Sequence, residues 1–324
     1  MSVIVFGIDA LNPDLVDPED HPHLTLESYD RISTLTSSAG EPSTHELWPT
    51  IITGCPPDEH GLQLDDGVAW DIPALQLGSR LADYLLPDRL QTRLGGWLLT
   101  NTDTDAFRTP ATYYADNGIS TLFDNYDAKT IGIPNYVVDT DSEDREHQLR
   151  QQMGDLFERD RDARGGHVSS DPDQFYELCL EMSMIRTARL RRALRGRRYE
   201  LVFGYTSGLD LIGHVSYDRP SLQDRAYGEL NDFVGELRND LGESDELVLV
   251  SDHGLQDGLH TEEAMIASTD PKIVEATESV VDVRTAIESE LDRVDHTPIA
   301  HQTEATAIGD RDGVREQLED LGYM

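Results

Sequence analysis

The chain has 324 residues, and its 63 Asp and Glu residues against 26 Lys and Arg residues give a net charge of −37. That length allows a large core, and we expect a single α/β domain over residues 1–324. Such a charge would repel nucleic-acid backbones and anionic membranes, so neither is expected as a partner. Lys129 and Lys272 are the only lysines, and scattered acidic residues in a lysine-poor chain are typical of a halophilic protein in concentrated salt.

Cysteine content and the N-terminal sequence bear on the cellular compartment. Cys55 and Cys179 are too few and too far apart for a disulfide framework, and the chain has no CxxC pair. The sequence also lacks the features of a signal peptide and any apolar run long enough to span a membrane. We therefore expect a reduced, soluble, cytoplasmic protein.

The chain begins with a buried strand that is followed by an acidic residue. Residues 2–8 are a continuous apolar run rich in Val and Ile, which predicts a strand buried on both faces, and Asp9 comes directly after it. Ligands of open α/β sheets bind beyond the carboxyl ends of the strands, so Asp9 is a candidate metal ligand. The alternative is that Asp9 caps a following helix.

Thr44 stands at the start of a short helical segment. After a helix predicted over residues 26–35, Ser43 and Thr44 precede a run that can form a helix over residues 46–53, closed by Gly54. Thr44 is therefore predicted to be the N-cap. Free backbone N–H groups and the positive end of the helix dipole meet there, so the hydroxyl suits an anionic substrate as well as an ordinary capping role.

The middle of the chain carries a weaker pattern. A strand is predicted over residues 129–133, whereas residues 62–118 contain no motif. Residues 142–164 and 171–195 predict two acidic, Arg-rich helices, and their alternating charges are most simply explained by solvated faces. We interpret residues 62–118 and 137–198 as peripheral insertions or as parts of a substrate pocket.

Two further strands are each followed by an aspartate and a histidine. These units are residues 199–205 with Asp210 and His214, and residues 246–250 with Asp252 and His253. A helix predicted over residues 221–240 separates the two strands. Because a strand, helix and strand in succession form parallel strands, their carboxyl ends are expected to meet at one edge of the sheet.

The residue types in these units are those of a catalytic metal site. Asp210 and His214 are four residues apart, so a helical turn would direct both to one metal ion. Asp252 and His253 are adjacent, and a loop can direct both to a second ion. Imidazole and carboxylate ligands without cysteine suit divalent ions such as Zn²⁺ or Mn²⁺ in an open catalytic site.

With these motifs the chain resembles the alkaline phosphatase superfamily, and within it the type I phosphodiesterase/nucleotide pyrophosphatase branch. The resemblance covers residues 3–60 and 199–268, and the middle only through the Thr-Ile-Gly-Ile-Pro-Asn run that begins at Thr130. It implies a three-layer α/β sandwich with a mostly parallel central sheet and helices on both faces.

The resemblance also implies a role for each candidate residue. The expected ligands are Asp9, Thr44, Asp252 and His253 for one ion, and Asp210, His214 and a third, later histidine for the other. Asp252 and His253 match the family's SDHG motif, and Asp210 and His214 match its DxxGH motif. The family's nucleophile lies ten residues ahead of the glycine of a TG motif, which is Gly54 here, so the implied nucleophile is Thr44.

The third histidine has two candidates. His260 follows the SDHG motif closely and precedes an apolar run at residues 264–267, so the chain need not travel far to return to the same edge of the sheet. We prefer it to His296, which must return after a helix predicted over residues 281–291. Substrate-binding residues stay unassigned, because the asparagine that the family places after its HG motif has no counterpart in residues 62–66.

The implied activity is hydrolysis of a small-molecule phosphate ester by a phosphodiesterase or nucleotide pyrophosphatase. Two divalent ions, Zn²⁺ or alternatively Mn²⁺, would support in-line displacement through a phosphothreonine intermediate on Thr44. The alternatives are a phosphomonoesterase or phosphomutase on the same scaffold, and a metal-binding pseudoenzyme that acts as an interaction protein. A sulfatase is disfavoured, because the residues after Thr44 lack the Pro and Arg of the CxPxR motif. The oligomeric state is left open.

Overall fold

A computed structural model of the chain describes residues 2–37, 40–63, 109–138, 146–160 and 162–293. These residues belong to one compact unit, Met1–Val294. Most of the predicted insertion at residues 62–118 therefore lies outside the described residues, as does the alternative ligand His296. Among the described residues, no helix combines the length and the apolar composition needed to cross a bilayer.

The described residues form a central six-stranded sheet and two small hairpins. The strands are β1 Val3–Ile8, β2 Ser28–Ser33, β3 Ala128–Ile131, β4 Phe157–Arg159, β5 His167–Ser169, β6 Leu201–Thr206, β7 Glu246–Val250, β8 Gly254–Gln256, β9 Leu259–Thr261 and β10 Glu263–Ser268. The order in the central sheet is β2-β10-β7-β1-β6-β3, while β4 pairs with β5 and β8 pairs with β9. Strands β7, β1, β6 and β3 are parallel, and β10 and β2 add two antiparallel strands at one side. The predicted mostly parallel sheet is confirmed.

Helices cover both faces of the sheet. In the described residues they are α1 Pro22–Thr25, α2 Thr44–Thr53, α3 Pro57–His60, α4 Thr112–Asp116, α5 His147–Leu156, α6 Pro172–Gly196, α7 Gly208–Ser216, α8 Pro220–Arg238, α9 Pro271–Glu275 and α10 Val283–Arg293. Side chains of α1, α5, α6, α7 and α8 pack in the core on one face, and those of α2, α4, α9 and α10 in the core on the other. The predicted three-layer α/β arrangement is confirmed.

The first strand shows why its sequence is apolar without alternation. Ile4, Phe6 and Ile8 enter one core, whereas Val3 and Val5 enter the other. A strand in the middle of a parallel sheet has helices on both faces, so every side chain is buried. This burial fixes β1 at the centre of the sheet and therefore fixes the place where Asp9 emerges.

The helix predicted over residues 26–35 is wrong, because the chain there forms β2. Ile32 is the one buried side chain of that strand, so the segment has no apolar stripe that a helix could bury. The strand instead pairs in antiparallel register with β10 at the edge of the sheet, where its polar side chains face solvent.

The interpretation of the Arg-rich stretches as solvated faces is wrong for their most central charges. Glu146 and Arg186 are 1% and 6% exposed. Arg186 Nε donates to Glu146 Oε1 at 2.8 Å, and Arg189 also donates to that carboxylate. Paired charges can be buried when their hydrogen bonds are satisfied, which a charge pattern alone does not reveal.

Candidate active site

The candidate site lies at the carboxyl ends of three neighbouring strands. Asp9 directly follows β1, Asp252 is the second residue after β7, and Asp210 lies in α7 just after β6. Strands β7 and β6 flank β1 in parallel register, so the three aspartates converge. The prediction that the carboxyl ends of these strands meet at one edge of the sheet is confirmed.

Asp9, Asp252 and His253, here called the Asp9 triad, are buried together beside Thr44. His253 Nε2 lies 3.4 Å from Asp9 Oδ1 and 3.4 Å from Asp252 Oδ2. Thr44 Oγ1 lies 3.3 Å from Asp9 Oδ1 and 3.1 Å from His253 Nε2. A hydroxyl and three potential ligand atoms therefore face one small volume.

Asp210, His214 and His260, here called the Asp210 triad, form the second cluster. Asp210 and His214 lie one turn apart on α7, and their Oδ1 and Nε2 atoms are 3.3 Å apart. Strand β9 brings in His260, whose Nε2 lies 3.5 Å from Asp210 Oδ1 and 3.1 Å from His214 Nε2. The three side chains are 13–17% exposed, so this triad is open to solvent whereas the Asp9 triad is not.

The two triads are adjacent. The rings of His253 and His260 stack with centroids 4.2 Å apart and planes 28° from parallel. All seven residues that the sequence analysis selected as ligands or nucleophile therefore lie in one cluster. His260, the preferred third histidine, is the one that the described residues contain.

Thr44 does not cap its helix, so the predicted N-cap role is wrong. Ser43 is the N-cap, Thr44 is the first residue of α2, and no side chain makes a capping hydrogen bond there. The threonine hydroxyl faces Asp9 and His253 instead. The alternative in which Thr44 serves only as a capping residue loses its support.

The hydrogen bonds of two histidines leave the correct ring nitrogen available for a metal ion. His253 Nδ1 lies 3.1 Å from the carbonyl oxygen of Gly254, and His260 Nδ1 lies 2.9 Å from that of Pro42. A carbonyl can only accept, so each Nδ1 carries a proton, and in the neutral ring each Nε2 directs a lone pair into its triad. Metal-binding histidines commonly have this arrangement.

Distances and unpaired oxygens in both triads fit divalent ions. Two ligands at about 2.0–2.2 Å from one tetrahedral ion are roughly 3.3–3.6 Å apart, close to the separations seen here. Ligand atoms in each triad lie within 4.8 Å of one another. Both carboxylate oxygens of Asp252 and Oδ1 of Asp210 are buried without a hydrogen-bond partner in the described residues. A bound cation would offset the free-energy cost of burying these oxygens without a hydrogen-bond partner.

The electrostatics of the Asp9 triad favour binding of a cation. Burial raises the pKa of Asp9 well above its ordinary value, and the Asp252 and Asp210 carboxylates raise it further. Burial likewise raises the pKa of Asp252 to about 6. Two carboxylates this close cannot both ionise cheaply without a cation between them.

In the Asp210 triad the charges partly compensate one another. Burial alone would raise the pKa of Asp210, but the His214 and His260 imidazoles outweigh it and hold that pKa well below the ordinary range. Burial would lower the pKa of His260, but the nearby Asp210 carboxylate outweighs burial and raises the pKa to about 9. The two imidazoles therefore stabilise the ionised form of Asp210.

Sequence reasoning missed two residues beside the site. Tyr205, near the end of β6, donates its hydroxyl proton to Asp9 Oδ2 at 2.5 Å. The ring of His167 on β5 lies 5.4 Å from that of His214, centroid to centroid. A tyrosine at the carboxyl end of a buried strand was a signal that could have been used, whereas nothing near His167 in the sequence links it to α7.

Two other histidines lie close to Thr44 in the sequence and have no place in either triad. Buried His60 accepts at Nδ1 from the Leu62 N–H, and its Nε2 lies 3.2 Å from the Glu46 carbonyl oxygen. His45 follows Thr44 directly, and burial lowers its pKa to about 4. Burial also lowers the pKa of His60 to about 4, so it stays neutral under α2.

A family model matches nearly the whole chain. Residues 3–320 match the family model described as type I phosphodiesterase / nucleotide pyrophosphatase. Among curated proteins, no sequence matches the chain significantly.

Several solved structures are similar to the chain. The PH0037 protein from Pyrococcus horikoshii has a TM-score of 0.46 at 12% identity, covering 91% of this chain and 97% of its own. The alkaline phosphatase from the Antarctic bacterium TAB5 has a TM-score of 0.44 at 12% identity, covering 90% and 97%. The phosphonoacetate hydrolase from Sinorhizobium meliloti 1021, solved with phosphonoacetate, has a TM-score of 0.37 at 13% identity, covering 78% and 56%.

Proposed function

Because the chain belongs to the type I phosphodiesterase/nucleotide pyrophosphatase family and is therefore a phosphoester hydrolase, we propose that it hydrolyses small-molecule phosphodiesters through a phosphothreonine on Thr44, with two divalent ions. The observation that carries this proposal is the position of Thr44 Oγ1, 3.3 Å from Asp9 Oδ1 and 3.1 Å from His253 Nε2. A nucleophile that a bound ion activates must lie beside the ligands of that ion, and this hydroxyl lies beside the proposed ligands Asp9 and His253.

The ligand sets follow from the two triads. Asp9, Asp252 and His253 would hold one ion together with Thr44, and Asp210, His214 and His260 would hold the other. Each triad offers three nitrogen and oxygen donors, Thr44 not counted. Three protein ligands are typical of a catalytic Zn²⁺ site, whereas a structural Zn²⁺ site has four. Mn²⁺ remains the alternative, because the same donors suit it.

Charge explains why the ions are needed. Three buried or half-buried aspartates face the site of a chain whose net charge is −37, so an anionic phosphate ester would be repelled. When bound, the two ions supply positive charge that lowers the pKa of the threonine hydroxyl and stabilises the phosphoryl and leaving-group oxygens. Thr44 is the first residue of α2, so the positive end of the helix dipole adds partial positive charge near its hydroxyl.

The chemistry proceeds by two displacements at phosphorus. Thr44 Oγ1 loses its proton and bonds to phosphorus, while the P–O bond opposite breaks and the leaving oxygen keeps the electron pair and takes up a proton. A water molecule then attacks the phosphothreonine from the side that the leaving group vacated. The bond to Oγ1 breaks, Thr44 regains its proton and the product is released.

A turnover panel tests the reaction class. The protein would be depleted of metal with a chelator, supplied with Zn²⁺ or Mn²⁺, and assayed on aryl phosphodiesters, dinucleotides, aryl phosphomonoesters and aryl sulfates. We expect activity only with added metal and the highest kcat/KM on a diester or dinucleotide. A higher kcat/KM on monoesters would favour the monoesterase alternative. A preference for sulfates, or turnover that survives metal removal, would contradict the proposal.

A further inference from the structure

The two oxygens of Asp9 have different partners. Tyr205 donates its hydroxyl proton to Oδ2 at 2.5 Å. Oδ1 faces the opposite way, 3.3 Å from Thr44 Oγ1 and 3.4 Å from His253 Nε2. A carboxylate that accepts a strong hydrogen bond on one oxygen is fixed in rotation and presents the other oxygen alone.

The ring of Tyr205 is held against the helix that carries Thr44. Trp48 lies one turn beyond Thr44 on α2, and its ring meets that of Tyr205 edge to face, with centroids 5.0 Å apart. Trp48 reaches the sheet only because Gly7 has no side chain, since a Cβ there would lie 2.5 Å from the indole ring. Gly7 is the parallel-strand partner of Tyr205, so the packing locks their register.

The backbone of Tyr205 is fixed by a buried charge. Arg186 Nη1 donates to the Tyr205 carbonyl oxygen at 3.0 Å and to that of Gly132 at 3.1 Å, which joins the ends of β6 and β3. Glu146 balances the guanidinium charge through Arg186 Nε at 2.8 Å. Both the ring and the main chain of Tyr205 are therefore held in place, which fixes the position of its hydroxyl.

We propose that Tyr205 is a positioning residue that orients Asp9, so that Oδ1 alone is offered to the ion beside Thr44. The proposal rests on the proposed function, because it presupposes an ion in the Asp9 triad. Tyr205 is buried and its hydroxyl bonds to Asp9 itself, so its role is to fix the ligand. Partners of this kind typically change metal affinity about 10–100-fold when they are removed.

The test is Tyr205→Phe, which keeps the ring against Trp48 and removes only the hydroxyl. Tyr114→Phe is the matched control, because Tyr114 is also buried and its hydroxyl donates to the Asn135 carbonyl oxygen at 2.7 Å, away from both triads. Zn²⁺ affinity would be measured for each protein by competition with a chromophoric chelator. The Co²⁺-substituted proteins would be compared by visible absorption, which reports ligand geometry.

We expect Tyr205→Phe to bind one of two ions about 10–100-fold more weakly and to alter the Co²⁺ spectrum, with the second ion unaffected. Tyr114→Phe should retain both affinities. Equal affinities in Tyr205→Phe and the wild type would overturn the inference, as would a Tyr205→Phe chain that fails to fold while Tyr114→Phe folds. A wild type that binds no ions would instead refute the proposed function.

Discussion

The hydroxyl of Thr44 is the smallest feature on which the proposed chemistry depends. It makes no capping bond to α2, so its position is not explained by helix stability. Its two near neighbours are Asp9 and His253, which belong to the buried triad. The hydroxyl can therefore be removed with little structural cost.

Replacing this hydroxyl separates chemistry from stability. We expect Thr44→Ala to lower kcat/KM on an aryl phosphodiester by roughly a thousandfold or more, because the variant lacks the proposed nucleophile. Thr44→Ser keeps a hydroxyl and should retain measurable turnover. The melting temperature of both variants should stay within a few degrees of the wild type. Turnover by Thr44→Ala within about tenfold of the wild type would show that Thr44 is not the nucleophile.

The two candidate third histidines are separated by metal content. His260 Nε2 lies 3.5 Å from Asp210 Oδ1, so His260→Ala should lower bound metal from two ions towards one per chain and abolish activity. His296→Ala is the matched control and should keep both ions. Elemental analysis of the purified variants measures the difference. Loss of an ion in His296→Ala with none lost in His260→Ala would reverse the assignment.

The candidate ligands could be selected from sequence because each follows an apolar strand or a recognisable motif. Asp9, Asp210 and Asp252 come after strands whose burial on both faces gives continuous apolar runs. Tyr205 stands at the carboxyl end of a buried strand, but the sequence alone does not distinguish a packing tyrosine there from one that contacts Asp9. The predicted cap at Thr44 failed by one residue, since helix boundaries depend on backbone angles that spacing does not fix.

At the scale of elements, the β4–β5 hairpin supports the Asp210 triad. His167 on β5 stacks on Phe157 of β4, with centroids 4.6 Å apart, and its ring meets that of His214 at 5.4 Å. Arg164 in the connecting loop pairs with Asp257 of the β8–β9 turn at 3.1 Å. The hairpin thus contacts both elements that carry histidines of this triad.

Gly165 in that loop allows the close approach. A Cβ there would lie 2.7 Å from the His214 carbonyl oxygen and 3.1 Å from that of Gly258. We expect Gly165→Ala to destabilise the fold by about 1–3 kcal/mol and to weaken binding of one ion, because the loop must move away from α7. Urea unfolding and metal titration measure these effects.

Gly154→Ala is the matched control for this substitution. Gly154 lies within α5, and a Cβ there meets no atom within 4 Å. Alanine has the higher helix propensity, so this variant should gain roughly 0.5–1 kcal/mol and keep both ions. If Gly165→Ala were as stable as Gly154→Ala, the hairpin would not be packed as described.

Elements with long-range partners were the ones that sequence patterns missed. Strand β2 pairs with β10 from the far end of the chain, and β4 and β5 have three residues each. These segments form strands because they pack against other elements, and local periodicity does not encode that packing. By contrast α6 and α8 were predicted closely, because each has a buried stripe at helical spacing.

At the scale of the whole molecule, charge is the dominant property. The 63 acidic residues exceed the 26 basic ones so far that the folded chain repels itself at low ionic strength. Salt shortens the range of that repulsion from about 10 Å at 0.1 M to about 3 Å at 1 M. Stability should therefore depend on salt more than in a protein of balanced charge.

Thermal unfolding at different salt concentrations tests this expectation. We predict that raising KCl from about 0.1 M to about 2 M increases the melting temperature by several degrees, because screening relieves repulsion in the folded state. Sucrose at matched osmolality is the control, since it stabilises proteins without screening charge. A melting temperature that stays constant or falls in KCl would show that the acidic surface carries no electrostatic cost.

The stereochemical outcome at phosphorus shows whether the proposed phosphothreonine forms. An aryl methyl phosphorothioate of known configuration would be hydrolysed in ¹⁸O-labelled water, and the configuration of the methyl phosphorothioate product determined. Attack by Thr44 followed by attack of water gives two inversions, so we predict net retention. Net inversion would mean that water attacks the substrate directly and that no phosphothreonine forms.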